Sequence, residues 1–433
     1  MRRTEVVFPL EDGGGFKEKL LLWAQQYTEV IWLDSNDYQH LYPSFDAVLA
    51  VDALTAIKTD HHHAFDDLKE YQATTADWIF GYLSYDLKND VEKLTSSNTD
   101  HLHFPELYFF QPKKMIFIKG NTAKFHYLPM VDDEVEEDFN AVRDMEEKDT
   151  PELRPIPGEG IKARIPREAY LQKVEQMLVH IRRGDIYEAN FCQEFYTEEA
   201  GISPLKAFFG LNAISRPPFA AYLKLEDKYL ISASPERYLK RTGNKVVSQP
   251  IKGTARRAED PEEDQQLKHD LENTPKERSE NIMIVDLVRN DLSVTAKKGS
   301  VRVEELCEVY TFEQVHQLIS TVTSEVEDDI SSVDIIRSTF PMGSMTGAPK
   351  ISAMKIIEKL EETKRGLYSG AVGYFTPSGD FDFNVVIRSI LYNAADKYVS
   401  FTVGGAITGE SVPEKEYEEC LIKARAMRRV LEE

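Results

Sequence analysis

Glu236 and Lys252 are the two side chains whose types and spacing have the clearest chemical use. Glu236 lies in Ser234-Pro235-Glu236-Arg237, and Lys252 lies sixteen residues later in Gln249-Pro250-Ile251-Lys252-Gly253-Thr254. That interval allows both to sit at the ends of neighbouring strands, where one donates a proton while the other attacks. Pro250 stiffens the entry to Lys252, and Gly253 frees the backbone just past it. Arg256 and Arg257 follow closely, and a lysine among other cations loses its proton more easily. Read alone, Lys252 is a solvated loop lysine, as most lone lysines are.

A second set consists of two pairs of glutamates. Glu277 and Glu280 follow a helix start at Thr274-Pro275, and Glu416 and Glu419 follow Pro413. Spacing of i, i+3 puts each pair on one helical face. Two such pairs facing each other would suit Mg²⁺, which takes hard oxygen ligands and keeps several waters. On the solvated helices of an acidic protein, such pairs are also common. A third set is built on glycine turns. Thr346-Gly347-Ala348-Pro349 feeds a helix predicted over 351–360, where free N–H groups could meet an anion; a plain N-cap at Thr346 is the default. Gly404-Gly405-Ala406, after a strand predicted over 398–403, offers another close backbone approach. Arg388, in an apolar strand predicted over 381–391, needs a partner: a ligand carboxylate or an internal acid. His316 is a further catalytic candidate, although a single histidine in so apolar a strand is more often a satisfied core residue.

The elements that must position these groups are read as follows. Residues 1–130 form a mixed α/β region with several strands in succession. Residues 131–165, acidic and then proline-rich, read as a linker. Residues 166–433 begin with a helix over 167–182, opened by Pro166 and stopped by Gly184, and carry a hairpin around Glu226-Asp227-Lys228. Strands followed by mixed helices and strands favour an α+β fold over a dinucleotide-binding sheet. The 433 residues carry 52 Lys and Arg against 74 Asp and Glu, a net charge of -22. So acidic a chain argues against nucleic acid and anionic membrane as partners, and cations for an anionic ligand must be gathered locally. Cys192, Cys307 and Cys420 form no CxxC, which fits a reducing cytoplasm. No apolar run approaches the ~20 residues of a membrane span, and no signal-peptide pattern opens the chain.

Taken together, these residues resemble the chorismate-utilising enzymes: component I of anthranilate synthase, component I of aminodeoxychorismate (para-aminobenzoate) synthase, and the isochorismate and salicylate synthases. The likeness runs from about Arg167 to Arg429. It is carried by Gly184-Asp185-Ile186-Tyr187, Ser234-Pro235-Glu236-Arg237, Pro250-Ile251-Lys252-Gly253-Thr254, Asp286-Leu287-Val288-Arg289-Asn290-Asp291, Thr346-Gly347-Ala348-Pro349-Lys350, Arg365-Gly366-Leu367-Tyr368-Ser369-Gly370 and Pro413-Glu414-Lys415-Glu416. The resemblance implies two large, mostly antiparallel sheets packed face to face with helices outside, and interlocking N- and C-terminal segments. It makes 166–433 the chorismate-binding catalytic region. It implies Mg²⁺ on Glu277, Glu280, Glu416 and Glu419, and a chorismate site lined by Gly253, Thr254, Thr346, Gly347, Tyr368, Arg388, Gly404, Gly405, Ala406 and Lys423. Lysine at position 252 resembles the aminodeoxychorismate synthases, since anthranilate synthases usually carry alanine there. Amination of chorismate at C4 is then expected, with ammonia from a separate glutamine amidotransferase subunit and a place in para-aminobenzoate and folate biosynthesis.

Two features depart from that pattern or extend it. Glu188 stands where ammonia-using members usually have glutamine and water-using ones lysine. Ser35, Tyr42, Pro43, Ser44 and Phe45, with Pro218, Phe219 and Ala220, match positions that bind tryptophan in some relatives. The alternatives are anthranilate synthase component I and, from another class, a noncatalytic amino-acid sensor or scaffold subunit. Intact Glu236, Lys252 and all four glutamates argue against the sensor.

Overall fold

The computed structural model describes residues 2–38, 42, 45–145, 156, 160–313 and 315–433. The fold follows from strands that are apolar on both faces. In Glu29–Asp34, Val30 and Trp32 enter one hydrophobic cluster while Ile31 and Leu33 enter another. Ala47–Thr59 divides in the same way, Leu49 and Val51 against Val48 and Ala50, and so does Phe219–Leu225, Tyr222 against Leu223. Successive side chains point to opposite faces, so a strand with no polar face must be covered twice. One face of this layer meets helices, including Arg167–Arg182, Pro204–Ser215 and Pro413–Glu432. The other meets a second layer of strands, including Ile79–Leu83, Ala371–Phe375 and Phe381–Val385, closed by the helices Pro275–Ser293 and Ser332–Thr339. Every ladder between the described strands is antiparallel, from Glu29–Asp34 with Phe219–Leu225 to Ile79–Leu83 with Ala371–Phe375. The fold is α+β, as expected.

The two layers are joined where the antiparallel pair Ala47–Thr59 and Leu107–Lys119 bends. Its register shifts between Ala53 and Thr55, and an extra residue of this kind kinks a strand. Ile79–Leu83 pairs with the first half of Leu107–Lys119, and Thr122–Tyr127 with the second. Strands from the first 130 residues therefore lie inside the same ladders as strands from the rest of the chain.

Local differences from the sequence-based expectations have simple causes. The acidic run is no linker: Val135–Arg143 is a helix with Val135 and Val142 buried. Glu134 and Asp138 converge on the buried amine of Lys114, at 2.5 and 2.6 Å. Pro151, Pro155 and Pro157 of the predicted linker lie outside the described residues. The apolar stretch 381–391 is two strands, Phe381–Val385 and Ser389–Asn393, with Arg388 at φ +53° between them. Gly404 to Ala406 lie within Tyr398–Ile407 and not beyond its end. Among the described residues, no helix is long and apolar enough to cross a membrane, and the three cysteines are free and buried.

Candidate active site

Glu236 occupies the break between the strands Lys228–Ser234 and Arg237–Thr242. Its N–H donates to Ser234 Oγ at 3.3 Å, and its carbonyl accepts from Val385 N at 3.0 Å. The carboxyl is buried. Burial pushes its pKa up to about 7, against the opposing pull of the Ser344 hydroxyl and of Lys252. Lys252 lies, half-buried, on the strand Ile251–Arg256, which follows the intervening strand Lys245–Gln249. It exerts electrostatic pull on Glu188, Glu236, Glu280 and Glu419. One amine thus faces carboxyls from four separate elements.

Glu188 begins the strand Glu188–Thr197. Its carboxyl is buried with Oε2 unpartnered, and burial raises its pKa despite Lys252. Gly347 holds this strand end closely. A side-chain carbon on Gly347 would fall 2.3 Å from the Glu188 carbonyl oxygen. Thr346 is buried, and its hydroxyl donates to the carbonyls of Met342 and Gly343, at 3.2 Å each. It is not the N-cap of the following helix, which begins after Pro349. Thr346 and Gly347 therefore support the site through their backbone.

The glutamate pairs come from the first two turns of two helices, Pro275–Ser293 and Pro413–Glu432, each with proline at its start. Lys276 shows that they converge: Glu280, Glu416, Glu277 and Glu419 all raise its pKa against the effect of burial. A carbon added to Gly405 would lie 3.5 Å from both Glu416 Oε2 and Glu419 Oε1, and 3.7 Å from Lys423 Nζ. One added to Gly253, at φ +89°, would lie 3.0 Å from Glu277 Oε2. Burial pushes Glu280 up to about 7, and its buried Oε1 accepts no hydrogen bond, with Lys276 Nζ 3.8 Å away. Burial likewise raises Glu416, with Ser411 opposing. Burial acts against ionisation of Glu419 too, but Lys423, 2.5 Å away, outweighs it and holds the pKa low. The donors are hard oxygens, the type Mg²⁺ takes. Among the described residues, however, no three His, Cys, Asp or Glu side chains gather tightly enough to hold an ion directly. The set fits a hydrated ion, held partly through water, better than a closed cage.

Arg388 is a further cation of the site. Burial lowers its pKa, and its titratable neighbours are Tyr368 and Glu419. No side-chain hydrogen bond or ion pair holds its guanidinium among the described residues; the residue is half-buried, and a guanidinium withdrawn from water is costly unless a ligand supplies a partner. Tyr368 is buried, 3.7 Å from Cys192 Sγ. Lys423 donates to the Gly404 carbonyl at 2.7 Å. Ala406 stands opposite Asn190 in the ladder, and Thr254 opposite Gln317.

His316 is placed elsewhere. Its Nδ1 lies 3.0 Å from Thr311 Oγ1 and its Nε2 3.1 Å from Asp264 Oδ1, while Asp264 is also gripped by Arg257 at 2.9 Å. Both ring nitrogens are engaged, so the ring ties its strand to the helix Pro261–Asn273 instead of joining Glu236 and Lys252. Of the tryptophan-matched residues, Ser35, Phe45, Pro218, Phe219 and Ala220 line one cavity, with Asp34, Arg237, Tyr374 and Asp382. Its cavity volume is about 50 Å³, and it is partly open to solvent. Tyr42 turns away, its hydroxyl bonded to Glu304 and Lys245, and Pro43 and Ser44 lie outside the described residues. Sequence reasoning missed Lys276, Ser344 and the buried Arg365, whose guanidinium joins Glu361, Met345 O and Asn190 O at 2.7 Å. Position beside a named glutamate was the only available signal for Lys276.

Buried carboxyls, a central amine and an unpaired arginine define an enzyme site for a small anionic substrate. The chain belongs to the chorismate binding enzyme family, which matches residues 26–429. It is 36% identical over 360 residues to anthranilate synthase component 1 of Thermus thermophilus, covering 82% of this chain and 77% of that protein. It is 38% identical over 271 residues to aminodeoxychorismate synthase component 1 of Escherichia coli, covering 63% of this chain and 59% of the relative. The Bacillus subtilis protein of the same name is 31% identical over 87% of this chain and 80% of its own length. Anthranilate synthase component I of Streptococcus pneumoniae superposes with a TM-score of 0.78 at 25% identity, covering 91% and 95% of the two chains. The menaquinone-specific isochorismate synthase of Escherichia coli shares the fold, with a TM-score of 0.79 at 17% identity over 99% and 94%.

Proposed function

We propose that this chain aminates chorismate at C4, forming 4-amino-4-deoxychorismate with ammonia from a glutamine amidotransferase subunit, for para-aminobenzoate and folate synthesis. The observation that carries this is Lys252 in Pro-Ile-Lys-Gly-Thr, directed at the buried Glu236 and Glu188. Protonated Glu236 donates to the C4 hydroxyl, which leaves as water. Neutral Lys252 attacks C2, the ring double bonds shift, and a lysyl adduct forms. Ammonia then adds at C4, the double bonds shift back and the lysine departs from C2, so one hard displacement becomes two easier ones. Arg388 and Lys423 bind the substrate carboxylates. Glu277, Glu280, Glu416 and Glu419 would hold Mg²⁺ directly or through water, and a metal bound there supplies positive charge to the ring carboxylate. The cavity at Ser35 and Phe219 takes tryptophan.

The second reading is anthranilate synthase component I, favoured by the 36% identity to the Thermus protein over most of both lengths. Product analysis with chorismate, ammonium and Mg²⁺, with and without a downstream lyase, separates them. Aminodeoxychorismate retains the enolpyruvyl group; anthranilate is fluorescent and appears with pyruvate. Chorismate and Mg²⁺ without ammonia should add mass at Lys252. Absence of that adduct on peptide mapping would replace the two-step route by direct attack. No turnover at all would favour a sensor.

A further inference from the structure

Glu236 and Lys252 both lie beside register shifts in the backbone ladder. The strand Arg237–Thr242 loses register on both sides immediately after Arg237: against Lys245–Gln249 between Arg237 and Lys240, and against Phe381–Val385 between Arg237 and Leu239. A bulge bends the strand and leaves a residue unpaired. Glu236 is thus held by a kinked end. Lys252 follows Pro250, which supplies no N–H to a ladder, and its own strand loses register with Val315–Glu325 between Ile251 and Thr254.

Arg237 is the last residue in register before the shifts, opposite Gln249 on one side and Asn384 on the other, and its side chain adds further ties there. It is buried, and Nε and Nη2 donate to Asp382 Oδ1 and Oδ2 at 3.0 and 3.3 Å. Nη1 donates to Gln249 Oε1 at 2.7 Å, and Nη2 to the Tyr42 carbonyl at 3.1 Å. Asp382 belongs to the strand whose Val385 N–H grips the Glu236 carbonyl. Gln249 is the last residue before the Pro250 kink, and its own Nε2 donates to Thr321 Oγ1 at 3.2 Å. A planar guanidinium with five donors can engage a carboxylate and two further acceptors at once; an ammonium cannot match that fork. Arg237 exerts no resolved pull on the Glu236 carboxyl, whose opposing groups are Ser344 and Lys252.

We propose that Arg237 is a positioning residue: its guanidinium pins the strand end bearing Glu236 to the one leading to Lys252 and holds donor and nucleophile in mutual register. This rests on the proposed roles of Glu236 and Lys252. Misplacement by about 1 Å costs about 100-fold in rate, so Arg237→Lys should lower kcat by about that factor. KM should stay within about twofold and the pH profile should keep its shape, since no charge is removed. Gln249→Leu, which removes one partner and leaves the Arg237–Asp382 pair, should lower kcat several-fold in the same direction without changing Tm. Chorismate consumption is followed, so the outcome is readable whichever product forms.

Amide exchange supplies a readout independent of turnover: Arg237→Lys should speed exchange at 236–238 and 251–253 and leave the Pro413–Glu432 helix unchanged. Wild-type protein that consumes chorismate but yields anthranilate would overturn the amination and leave Arg237 in place. Wild-type protein inert toward chorismate, with exchange faster in the variant at those two segments, would overturn the catalytic roles and retain the pinning. Variants with wild-type kcat and unchanged exchange would overturn the inference. So would a parallel loss of kcat, KM and Tm in both variants, the mark of a general structural role.

Discussion

Replacing Glu236 by Gln should stabilise the protein at alkaline pH while stopping its reaction. Burial moves this carboxyl from 4.5 to about 7, with Ser344 and Lys252 opposing. Between those values the folded chain holds a proton that the unfolded chain has released, so stability falls as pH rises. The favourable contribution is complete below about pH 4.5 and lost by the time pH has passed 7. At about 1.4 kcal/mol per pH unit, the displacement is worth roughly 3 kcal/mol, of which about 2.5 is lost between pH 5 and pH 8. Glutamine keeps the size and hydrogen-bonding capacity but cannot ionise. The quantity to measure is the urea-unfolding free energy of Glu236→Gln minus wild type at pH 8, less the same difference at pH 5. This subtraction removes any pH-independent effect of the amide on packing. It should come to about +2 to +3 kcal/mol. Turnover should move the other way. Glu236 must carry its proton and Lys252 must have lost one, so wild-type kcat/KM at fixed free ammonia should trace a bell, falling about tenfold per pH unit along its alkaline limb, and the variant should be low throughout. A double difference near zero would refute the neutral buried acid, and a wild-type kcat/KM profile unchanged in shape by Glu236→Gln would refute its role as donor.

Glu280→Gln and Glu419→Gln should each abolish Mg²⁺-dependent turnover; full activity in either removes the metal assignment. Gly404→Ala should destabilise by about 1–3 kcal/mol, because the added carbon would fall 2.7 Å from the Phe191 carbonyl oxygen, Asn190 Oδ1 and Cys192 Sγ. An unchanged thermal midpoint would contradict that close approach. Calorimetry with tryptophan should show one site per chain that Phe219→Ala weakens at least tenfold, while equal affinity in the variant would place the amino acid elsewhere.

How much of this was legible depended on how local each signal was. The helix starts at Pro166, Thr274-Pro275 and Pro413 were readable because proline fits the first helical turn and each chain entry is set by near neighbours. The i, i+3 glutamates followed directly from those starts. Arg388 was misplaced because apolar residues run unbroken from 385 to 387; only the ladder partners on either side show that the strand ends and the chain turns through φ +53°. The acidic run 131–138 read as a linker because its partner, Lys114, lies in another strand and pairs with it only in the folded chain. His316 had the composition of either role. What decides it is Asp264, fifty-two residues away in sequence. Arg237 stood beside a named catalytic candidate and was still invisible, because a register shift cannot be read from one strand alone.

The charges around Lys252 bear on the metal as directly as the donor geometry does. Lys252, Lys276, Arg388 and Lys423 bring four cations, while Glu188, Glu236, Glu277, Glu280, Glu416 and Glu419 bring six carboxyls. Full ionisation would make the pocket anionic within an already acidic chain, and a dicarboxylate would be repelled. Two effects offset this. Burial favours the neutral acids at Glu188, Glu236, Glu280 and Glu416, which removes negative charge at the expense of donors that a cation would want ionised. A divalent cation among Glu277, Glu280, Glu416 and Glu419 would act the other way, displacing protons there while adding positive charge where the ring carboxylate must bind. Substrate and metal should therefore bind with mutual reinforcement, each tightening the other by the same factor. The ammonium of Lys276, stabilised by all four of these glutamates, already occupies part of the same field, and it would have to give way or share if a metal entered.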